Sequence, residues 1–467
     1  MSKNTMAAAE DSSQVLVRFF TKLPDELRVP ETEVAVPTSL KRYGLSLIIN
    51  HLLALDPARP FDFLIDGELL RKTLAQHLLD HGISPESLLR VEYVPAVVPP
   101  EAKQALPHDD WVSAVSGCST SDRLASGSYD GGVRVWDRQG NCLGSCAAHT
   151  GGVTAAAWLP AAQGSLLLTA GKDAAVRLWR VPAAGAAGGR GSRSKAVAAA
   201  AAEASPSLLS ACVGHSDTVA ALAVNRAGDM AATGGWDGKL LLWQTGSAAA
   251  AAAEEAGGGD GGGAGTGAKK RRVGGGDAAG VPSAPHQQEP SGGLEGHVHC
   301  VSALCWAGGG ALLASGGWDH SVRLWDAASG RAVATYHGSK AVYAVAAAPG
   351  GGGGVVVFGG ADSAVRVWDS RARGEALSVK GYAAGDAWLA ALAWRPEGGG
   401  DGCEHHVAGV SHDGSMRLWD LRTQVPLGSV RQHADKALAV GWWGPTTIAS
   451  GGADCKLQLY ELPAAEA

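Results

Sequence analysis

Apolar and polar residues alternate in a short segment that recurs seven times between residues 124 and 460. In each copy an apolar run such as LASGS precedes an Asp, and a strand such as VRLWD follows it, with Val and Leu on one side and Arg and Trp on the other. The Asp stands six residues ahead of a Trp or Tyr in every copy, at Asp130, Asp173, Asp237, Asp319, Asp362, Asp413 and Asp454. Each copy predicts two strands joined by a tight turn, so the chain is predicted to have a repeat architecture.

Two further positions recur at similar distances before these Asp residues. A His lies 21 to 25 residues upstream in five copies, at His149, His215, His297, His337 and His433. A hydroxyl lies four residues upstream in five copies, at Ser126, Thr169, Thr233, Ser315 and Ser450, whereas the fifth and sixth copies have Phe358 and Gly409 there. These residues resemble the WD40 repeat family. The resemblance implies a buried hydrogen-bond chain of Trp, Ser or Thr, His and Asp in each blade, and no hydrolytic triad.

The seven copies predict a mainly β fold, in which residues 99–463 form a seven-bladed WD40 β-propeller. The sequence after Asp454 supplies only one more strand, so the segment between Pro100 and Trp111 is expected to supply the outer strand of the last blade. The repeat spacing is longest around two low-complexity segments, 183–206 and 247–292, which are expected to be disordered insertions. Residues 1–13 are also expected to be disordered.

The pattern of residues 14–98 differs from that of the repeats. Strands are predicted at VLVRFF (15–20), VAVPTSL (34–40), FDFLIDGELLR (61–71, with a bend at Asp-Gly) and LLRVEYV (88–94). Apolar residues at helical spacing predict a helix in SLKRYGLSLIINHLLAL, and a second helix is predicted to end at Gly82. This order of elements fits a small α+β ubiquitin-like (β-grasp) domain.

The motifs VRFFTK, SLKRYGLSLIINHLL and FDFLIDGELLR, followed by seven repeats, make the resemblance more specific. The chain resembles the eukaryotic ribosome-biogenesis WD-repeat family, called Ytm in yeasts and WD-repeat protein twelve in animals, whose amino-terminal domain is of the NLE type. The resemblance implies a non-catalytic scaffold of the PeBoW complex, with Pescadillo-like and Bop/Erb-like proteins, in pre-rRNA processing of large-subunit and 5.8S rRNA. It also implies release from the large-subunit pre-ribosome by the ATPase Midasin, and location in the nucleus, in both nucleolus and nucleoplasm.

The same resemblance assigns a role to one acidic residue of the amino-terminal domain. The segment GISPESLLRVEY places Glu86 at the position where the family has an acid that completes the coordination of a metal ion held by Midasin. That ion is expected to be a divalent metal, magnesium, because a hard cation with an open position takes a carboxylate oxygen. The chain is expected to have no cofactor of its own.

Two surface features are candidates for contacts with other proteins. Tyr129, Trp236, Trp318 and His412 directly precede a repeat Asp, a position that WD40 rings commonly present on their top face, and exposed aromatic residues are enriched in binding hot spots. The run Lys269, Lys270, Arg271 and Arg272 lies in the second insertion and is predicted to act as a nuclear localisation signal.

Composition narrows the classes of function further. The net charge of −6 argues against a global basic field for nucleic acid, although direct contact with rRNA is left open. No secretory signal or transmembrane segment is predicted, and the eight Cys form no paired metal motif, so neither a membrane partner nor a small-molecule substrate is expected. An alternative function is a substrate receptor of a cullin-type ubiquitin ligase, because W-D-x-R occurs at Trp368-Asp369-Ser370-Arg371 and Trp419-Asp420-Leu421-Arg422.

Overall fold

The protein was studied as a computed structural model. It describes residues 13–23, 25–30, 32–84, 86–96, 100–118, 120–162, 164–182, 205–246, 286–349, 354–372, 379–383, 387–397, 405–422 and 426–462. The chain divides into two compact units. The amino-terminal unit comprises residues 1–99 together with Trp419–Leu427 and Pro463–Ala467, and the carboxy-terminal unit comprises Pro100–Leu418 and Gly428–Leu462. Within the described residues no helix is long and apolar enough to cross a membrane.

The amino-terminal unit is a five-stranded sheet with two helices. Its elements are β1 (Gln14–Phe20), a 3-10 turn (Asp25–Leu27), β2 (Glu33–Pro37), α1 (Arg42–Leu53), β3 (Phe61–Ile65), β4 (Glu68–Leu69), α2 (Leu74–His81) and β5 (Leu89–Pro95). The strand order across the sheet is β2-β1-β5-β3-β4. Strands β1 and β5 are parallel and the other pairs are antiparallel. The predicted β-grasp order of elements is confirmed.

This unit has its own apolar core. Alternate residues of β1, namely Val15, Val17 and Phe19, are buried in one cluster with Leu45 and Ile49 of α1. The alternation of strand β1 and the four-residue spacing in α1 bring these two apolar faces together. Burial of this kind stabilises by roughly 25 cal/mol per Å² of apolar surface, and it supplies most of the free energy that holds the helices on the sheet.

Local sequence explains where the elements of this unit end. The Thr73 side chain accepts the Gln76 N–H at 3.2 Å and begins α2, and Gly82 ends it with a φ of +63°. Between β3 and β4, Asp66 and Gly67 both have positive φ, as a two-residue hairpin turn requires. These two turns orient α2 and the loop that follows it.

The carboxy-terminal unit contains seven antiparallel four-stranded blades among its described residues. Blade one consists of β7 (Val112–Gly117), β8 (Arg123–Ser128), β9 (Gly132–Asp137) and β10 (Cys142–Ala147), and blade two consists of β11 (Val153–Trp158), β12 (Leu166–Gly171), β13 (Ala175–Arg180) and β14 (Ser207–Val213). Blade three consists of β15 (Val219–Val224), β16 (Met230–Gly235), β17 (Leu240–Gln244) and β19 (Gly292–Leu294). Blade four consists of β20 (Val301–Ala307), β21 (Leu312–Gly317), β22 (Ser321–Asp326) and β23 (Arg331–His337).

Blades five to seven complete this unit. Blade five consists of β24 (Val342–Ala347), β25 (Val355–Gly360), β26 (Ala364–Asp369) and β27 (Val379–Ala383). Blade six consists of β28 (Leu389–Trp394), β29 (His406–Ser411), β30 (Ser415–Asp420) and β31 (Gly428–Arg431). Blade seven consists of β32 (Ala437–Trp443), β33 (Thr447–Gly452), β34 (Lys456–Glu461) and β6 (Glu101–Pro107). Strand β18 (His286–Gln288) adds to the edge of blade two, and 3-10 turns lie at Pro160–Ala162 and Gly308–Gly310.

The ring closes because the first strands of successive blades are neighbours and the last of them, β32, contacts β7. The outer strand of blade seven comes from the start of the unit, since β6 pairs antiparallel with β34 and places Leu106 opposite Leu457. Leu106 is buried in a cluster with Trp136 and Trp443, which belong to blades one and seven. The predicted source of the closing strand, between Pro100 and Trp111, is confirmed.

Each of the three predicted disordered segments, 1–13, 183–206 and 247–292, ends in residues that the structure describes. The segment 247–292 ends in regular structure, because β18 lies parallel to β14 and β19 supplies the outer strand of blade three. The Gln288 side-chain amide donates to the Gln244 carbonyl at 2.6 Å and helps to hold this return. At the amino terminus, the Ser13 carbonyl accepts the Thr38 N–H at 3.0 Å. Residues 1–12, 183–204 and 247–285 lie outside the described residues.

Candidate functional site

Four blades contain the predicted hydrogen-bond chain in full. In blade two, His149 Nδ1 is 2.8 Å from Asp173 Oδ1, and His149 Nε2 is 2.8 Å from Thr169 Oγ1. The Trp179 indole N–H donates to the same hydroxyl at 2.9 Å. Three further blades repeat this arrangement. The residues are His215, Thr233, Trp243 and Asp237 in blade three, and His297, Ser315, Trp325 and Asp319 in blade four. In blade seven they are His433, Ser450, Tyr460 and Asp454, with Tyr in place of Trp.

The burial of these groups shows that they are structural. The Thr169 side chain is 0% exposed, and its oxygen already contacts His149 and Trp179. A hydroxyl that is both enclosed and fully hydrogen-bonded has no free position for a substrate atom. Each chain instead satisfies polar groups that would be costly to bury alone, and it joins the second and third strands of a blade to the loop before its first strand.

One predicted His is wrong and another was missed. His337 is exposed at the end of β23 and does not join Asp362, whose carboxylate is instead held by Arg366. In blade one the imidazole comes from His108, which directly follows the closing strand, and its Nε2 lies 2.8 Å from Ser126 Oγ. His108 stands 22 residues before Asp130, so the spacing of the other copies could have identified it.

Blades five and six lack the hydroxyl, as the sequence predicts. Phe358 and Gly409 occupy that position in β25 and β29. In blade five a cavity of about 30 Å³ lies between Ser339, Asp362 and Arg366, next to the loop where the other blades have their His. An Arg within the third strand therefore holds the repeat Asp in blade five, and Arg417 does the same for Asp413 in blade six.

Protonation equilibria in these chains follow from burial and from hydrogen bonding. Burial lowers the pKa of His108 to about 4, and the nearby Arg134 adds to that effect. Burial also lowers the pKa of His149 and of His297. For Asp173, burial acts to raise the pKa, but hydrogen bonds from Arg177 and His149 outweigh it and hold the pKa well below its usual range. The imidazoles of His149 and His297 are thus neutral at pH 7, and Nδ1 of each lies 2.8 Å from an Asp carboxylate. Nδ1 of His108 lies 3.2 Å from the Leu106 carbonyl instead.

The face that carries the turns between second and third strands, called the upper face here, displays the predicted partner-binding candidates. Trp236 is 50% exposed and Trp318 is 46% exposed, and their ring centroids lie 6.0 Å apart. His412 is half-buried. Tyr129 is also half-buried, with the Trp111 ring stacked at 5.7 Å and the Lys172 ammonium 3.8 Å from its ring centroid. These four residues remain candidates, with Tyr129 more enclosed than the two Trp residues.

The structure extends this surface with two aromatic residues that the repeat pattern did not reveal. Tyr343 lies 6.3 Å from Trp318, and Trp388 lies 5.8 Å from Tyr343 and 5.9 Å from His412. Together with Trp236, they form a continuous line of five aromatic rings over blades three to six. We call this line the aromatic arc (Trp236, Trp318, Tyr343, Trp388 and His412). Trp388 is 49% exposed.

The two charged candidates differ in what the structure describes. Glu86 is exposed in the turn between α2 and β5, with its N–H 3.4 Å from Ser84 Oγ. Its carboxylate is therefore accessible to a protein that approaches this loop. Lys269, Lys270, Arg271 and Arg272 lie outside the described residues.

The two W-D-x-R patterns have similar geometry. The Arg371 guanidinium donates to both carboxylate oxygens of Asp369, at 2.9 and 3.0 Å. Arg422 contacts Asp420 in the same way, with a distance of 2.7 Å from Nη2 to Oδ2. In both turns the Arg is bonded to the Asp of its own pattern.

Comparison with known families matches both units. Residues 15–78 match the NLE (NUC135) domain family. Five segments match the WD domain, G-beta repeat family, at residues 102–137, 140–180, 206–244, 288–326 and 330–369.

Curated proteins from plants, algae and fungi are similar along nearly the whole chain. The "Ribosome biogenesis protein WDR12 homolog" of Chlamydomonas reinhardtii is 47% identical, over 97% of this chain and 98% of that protein. The protein of the same name from Oryza sativa subsp. japonica is 36% identical, over 96% and 97%. The "Ribosome biogenesis protein YTM1" of Eremothecium gossypii is 32% identical, over 96% and 98%.

Proposed function

Because the chain belongs to the family of WDR12 and YTM1 ribosome biogenesis proteins, we propose that it is a non-catalytic scaffold of the PeBoW complex. In this proposal it joins Pescadillo-like and Bop/Erb-like proteins on the large-subunit pre-ribosome and supports processing of large-subunit and 5.8S rRNA. The observation that carries the proposal is the similarity along both units, the NLE domain and the repeats.

The surfaces of the ring are consistent with a scaffold. Its hydroxyl, imidazole and carboxylate groups are used in buried structural chains, so the repeat residues offer no nucleophile to a substrate. The aromatic arc provides exposed rings of the type that dominate protein–protein hot spots. We place the Bop/Erb-like partner on the upper face. The ligase-receptor alternative stays a prediction, since the Asp–Arg pairs of its two patterns do not favour it over the scaffold.

We also propose that Midasin removes the chain from the pre-ribosome through Glu86. The carboxylate is exposed in a turn, and a carboxylate oxygen is a ligand that divalent cations such as magnesium accept readily. The chain needs to supply only this one ligand, because the partner would hold the metal with its own residues.

The Glu86 proposal is tested with the full-length chain and the adhesion domain of Midasin. Wild-type protein should bind in magnesium and lose binding in chelator. Glu86→Ala should lower the affinity at least tenfold, about 1.4 kcal/mol, because the metal loses a charged ligand. Glu86→Asp withdraws the carboxylate by ~1.5 Å and should also bind poorly. Glu26→Ala removes an exposed carboxylate of the 3-10 turn in the same unit and serves as the control. If Glu86→Ala in the presence of chelator bound as tightly as the wild-type protein in magnesium, the contact would not be metal-mediated.

Nuclear and nucleolar location is the corresponding proposal for the cell. Four adjacent cations at Lys269, Lys270, Arg271 and Arg272 match the composition of import signals. Replacing all four by Ala should shift a fluorescently tagged chain toward the cytoplasm. An unchanged nucleolar signal in living cells would show that import does not depend on these residues.

A further inference from the structure

The repeat position before the Asp is occupied differently in blade five than in the blades around it. Blades four and six have Trp318 and His412 there, whereas blade five has Ala361. The Ala361 methyl is only partly covered, while Trp318 is 46% exposed. The line of large residues at this position is therefore interrupted at one place on the upper face.

Two aromatic rings from other positions continue the line between Trp318 and His412. Tyr343, at the start of β24, meets the edge of Trp318 at 6.3 Å and 74°, and Trp388 meets Tyr343 at 5.8 Å and 44°. The Ala361 N–H is bonded to the carbonyl of Ala341, two residues before Tyr343, at 3.1 Å. We call this group of residues the aromatic notch (Trp318, Tyr343, Trp388 and Ala361), because Ala361 has a methyl at the repeat position where blades three and four have an indole.

The fixed charges around the notch are not symmetric. Asp362 and Asp413, the acidic repeat residues of blades five and six, are held by Arg366 and Arg417. On the other side, Lys340 is exposed and directly precedes Ala341.

A second lysine lies at the far end of the arc. Burial, and then the nearby Lys436 ammonium, lower the pKa of His412, so that imidazole is neutral at pH 7. Lys340 is thus the exposed cation next to the notch, whereas Lys436 has the exposed Asp435 beside it, whose carboxylate accepts the Lys436 N–H at 2.7 Å.

We propose that the aromatic notch receives one large apolar side chain from a partner protein, and that the segment carrying it has acidic residues beside that side chain. The exposed Trp318 and Trp388 rings and the half-buried Tyr343 ring would lose water contact when the side chain enters, as in the anchor pockets of protein interfaces. Carboxylates beside the anchor would pair with Lys340 at the rim, where such pairs mainly add specificity and association rate. This proposal rests on the scaffold role proposed above.

Single-stranded RNA is a less suitable occupant. RNA binding by stacking uses ring faces along a groove lined with many cations. Here the neighbouring rings of the notch are tilted by 44° and 74° to each other, so they do not form parallel faces for a base. The two lysines are also few for a phosphate backbone.

The proposal is tested by filling the notch rather than by emptying it. Ala361→Trp places at this position the residue that blades three and four already have, so the fold of the turn should tolerate it. Val333→Trp adds a Trp at an exposed position of the outer strand β23, away from the repeat position before the Asp, and is the control. Thermal unfolding of both variants should be within a few degrees of the wild-type protein. Binding is then measured by calorimetry between the full-length chain and a recombinant Bop/Erb-like protein.

We expect Ala361→Trp to weaken binding at least tenfold and Val333→Trp to leave it within twofold of wild type. Lys340→Glu should weaken binding at low salt and reduce its salt dependence. Equal affinity of Ala361→Trp and wild type would overturn the notch while leaving the scaffold role intact. A wild-type chain that does not bind the Bop/Erb-like protein would overturn the scaffold role and the notch together. If Ala361→Trp instead blocked binding of a 20-nucleotide unstructured RNA and not of protein, the notch would be an RNA site and the proposal wrong.

Discussion

At the scale of single residues, burial keeps the imidazoles of His108, His149 and His297 neutral at pH 7. His108 contacts Ser126 through Nε2 and accepts no proton until the pH falls to about 4 in the folded state, against 6.5 for an ordinary His. The unfolded chain therefore binds more protons than the folded one between these values. Stability that is fully present above pH 6.5 must be lost as the pH falls toward 4.

His108→Asn should remove part of this pH dependence. The amide keeps a polar partner near Ser126 but cannot be protonated, so the variant should be less stable than wild type at pH 7 and flatter in its response to acid. In the wild-type protein, protonation of His108 in the unfolded chain is expected to lower the free energy of unfolding by on the order of 2 kcal/mol between pH 7 and pH 5. Urea unfolding at several pH values measures both slopes. Parallel curves for the two proteins would show that His108 does not contribute.

Single residues also show how far sequence can locate a surface. Trp236 and Trp318 share one repeat position, so the repeat itself places both on the upper face. Tyr343 and Trp388 occupy different positions in the repeat, one in a first strand and one in the loop before the next. They meet only because adjacent blades pack at a fixed spacing. No periodicity within one blade contains that information, which is why the arc was only half predicted.

At the scale of elements, the closing strand was predictable because a blade with three strands leaves an open edge. The repeat count alone required a partner for β34, and the described structure supplies it as β6. The return of the chain at β18 and β19 was not predictable by the same means. Residues 286–294 have neither apolar alternation nor Phe, Tyr or Trp. Their strand conformation therefore depends on pairing with the edge strands β14 of blade two and β17 of blade three.

Leu106→Ala should weaken the closure of the ring. Leu106 is 3% exposed and packs in the cluster that joins blades seven and one, so its loss removes buried methyl groups and leaves a cavity. A cost of about 2–5 kcal/mol is typical of such a change. Hydrogen exchange should also rise in β34, whose amides pair with β6.

The control for this experiment lies on the same strand. Lys103 pairs with Glu461, but its side chain is 58% exposed, so Lys103→Ala should cost less than ~1 kcal/mol. Equal effects of the two changes on the urea midpoint, or exchange that rises uniformly over all blades in Leu106→Ala, would contradict a role for β6 in closing the ring.

At the scale of the whole molecule, two compact units with separate apolar cores carry two different candidate sites. One unit presents Glu86 and the other presents the aromatic arc. In the proposed function, a scaffold that is assembled and later removed would benefit from this division, because the two proposed partners would contact different units. The two binding energies should therefore be independent.

This independence is tested with Glu86→Ala, with Trp236→Ala and Trp318→Ala combined, and with all three changes in one full-length chain. Glu86→Ala should bind the Bop/Erb-like protein like wild type and bind the Midasin adhesion domain at least tenfold more weakly. The variant with both Trp236→Ala and Trp318→Ala should bind the Midasin adhesion domain like wild type and the Bop/Erb-like protein more weakly. Each of its two substitutions would remove a hot-spot contact worth ~2 kcal/mol. The triple variant should lose each affinity by the same factor as the separate variants, within ~0.5 kcal/mol. Uncoupled sites must behave additively. A larger deviation in either affinity would therefore mean that the two sites are energetically coupled, and the proposal that each unit binds its partner independently would be wrong.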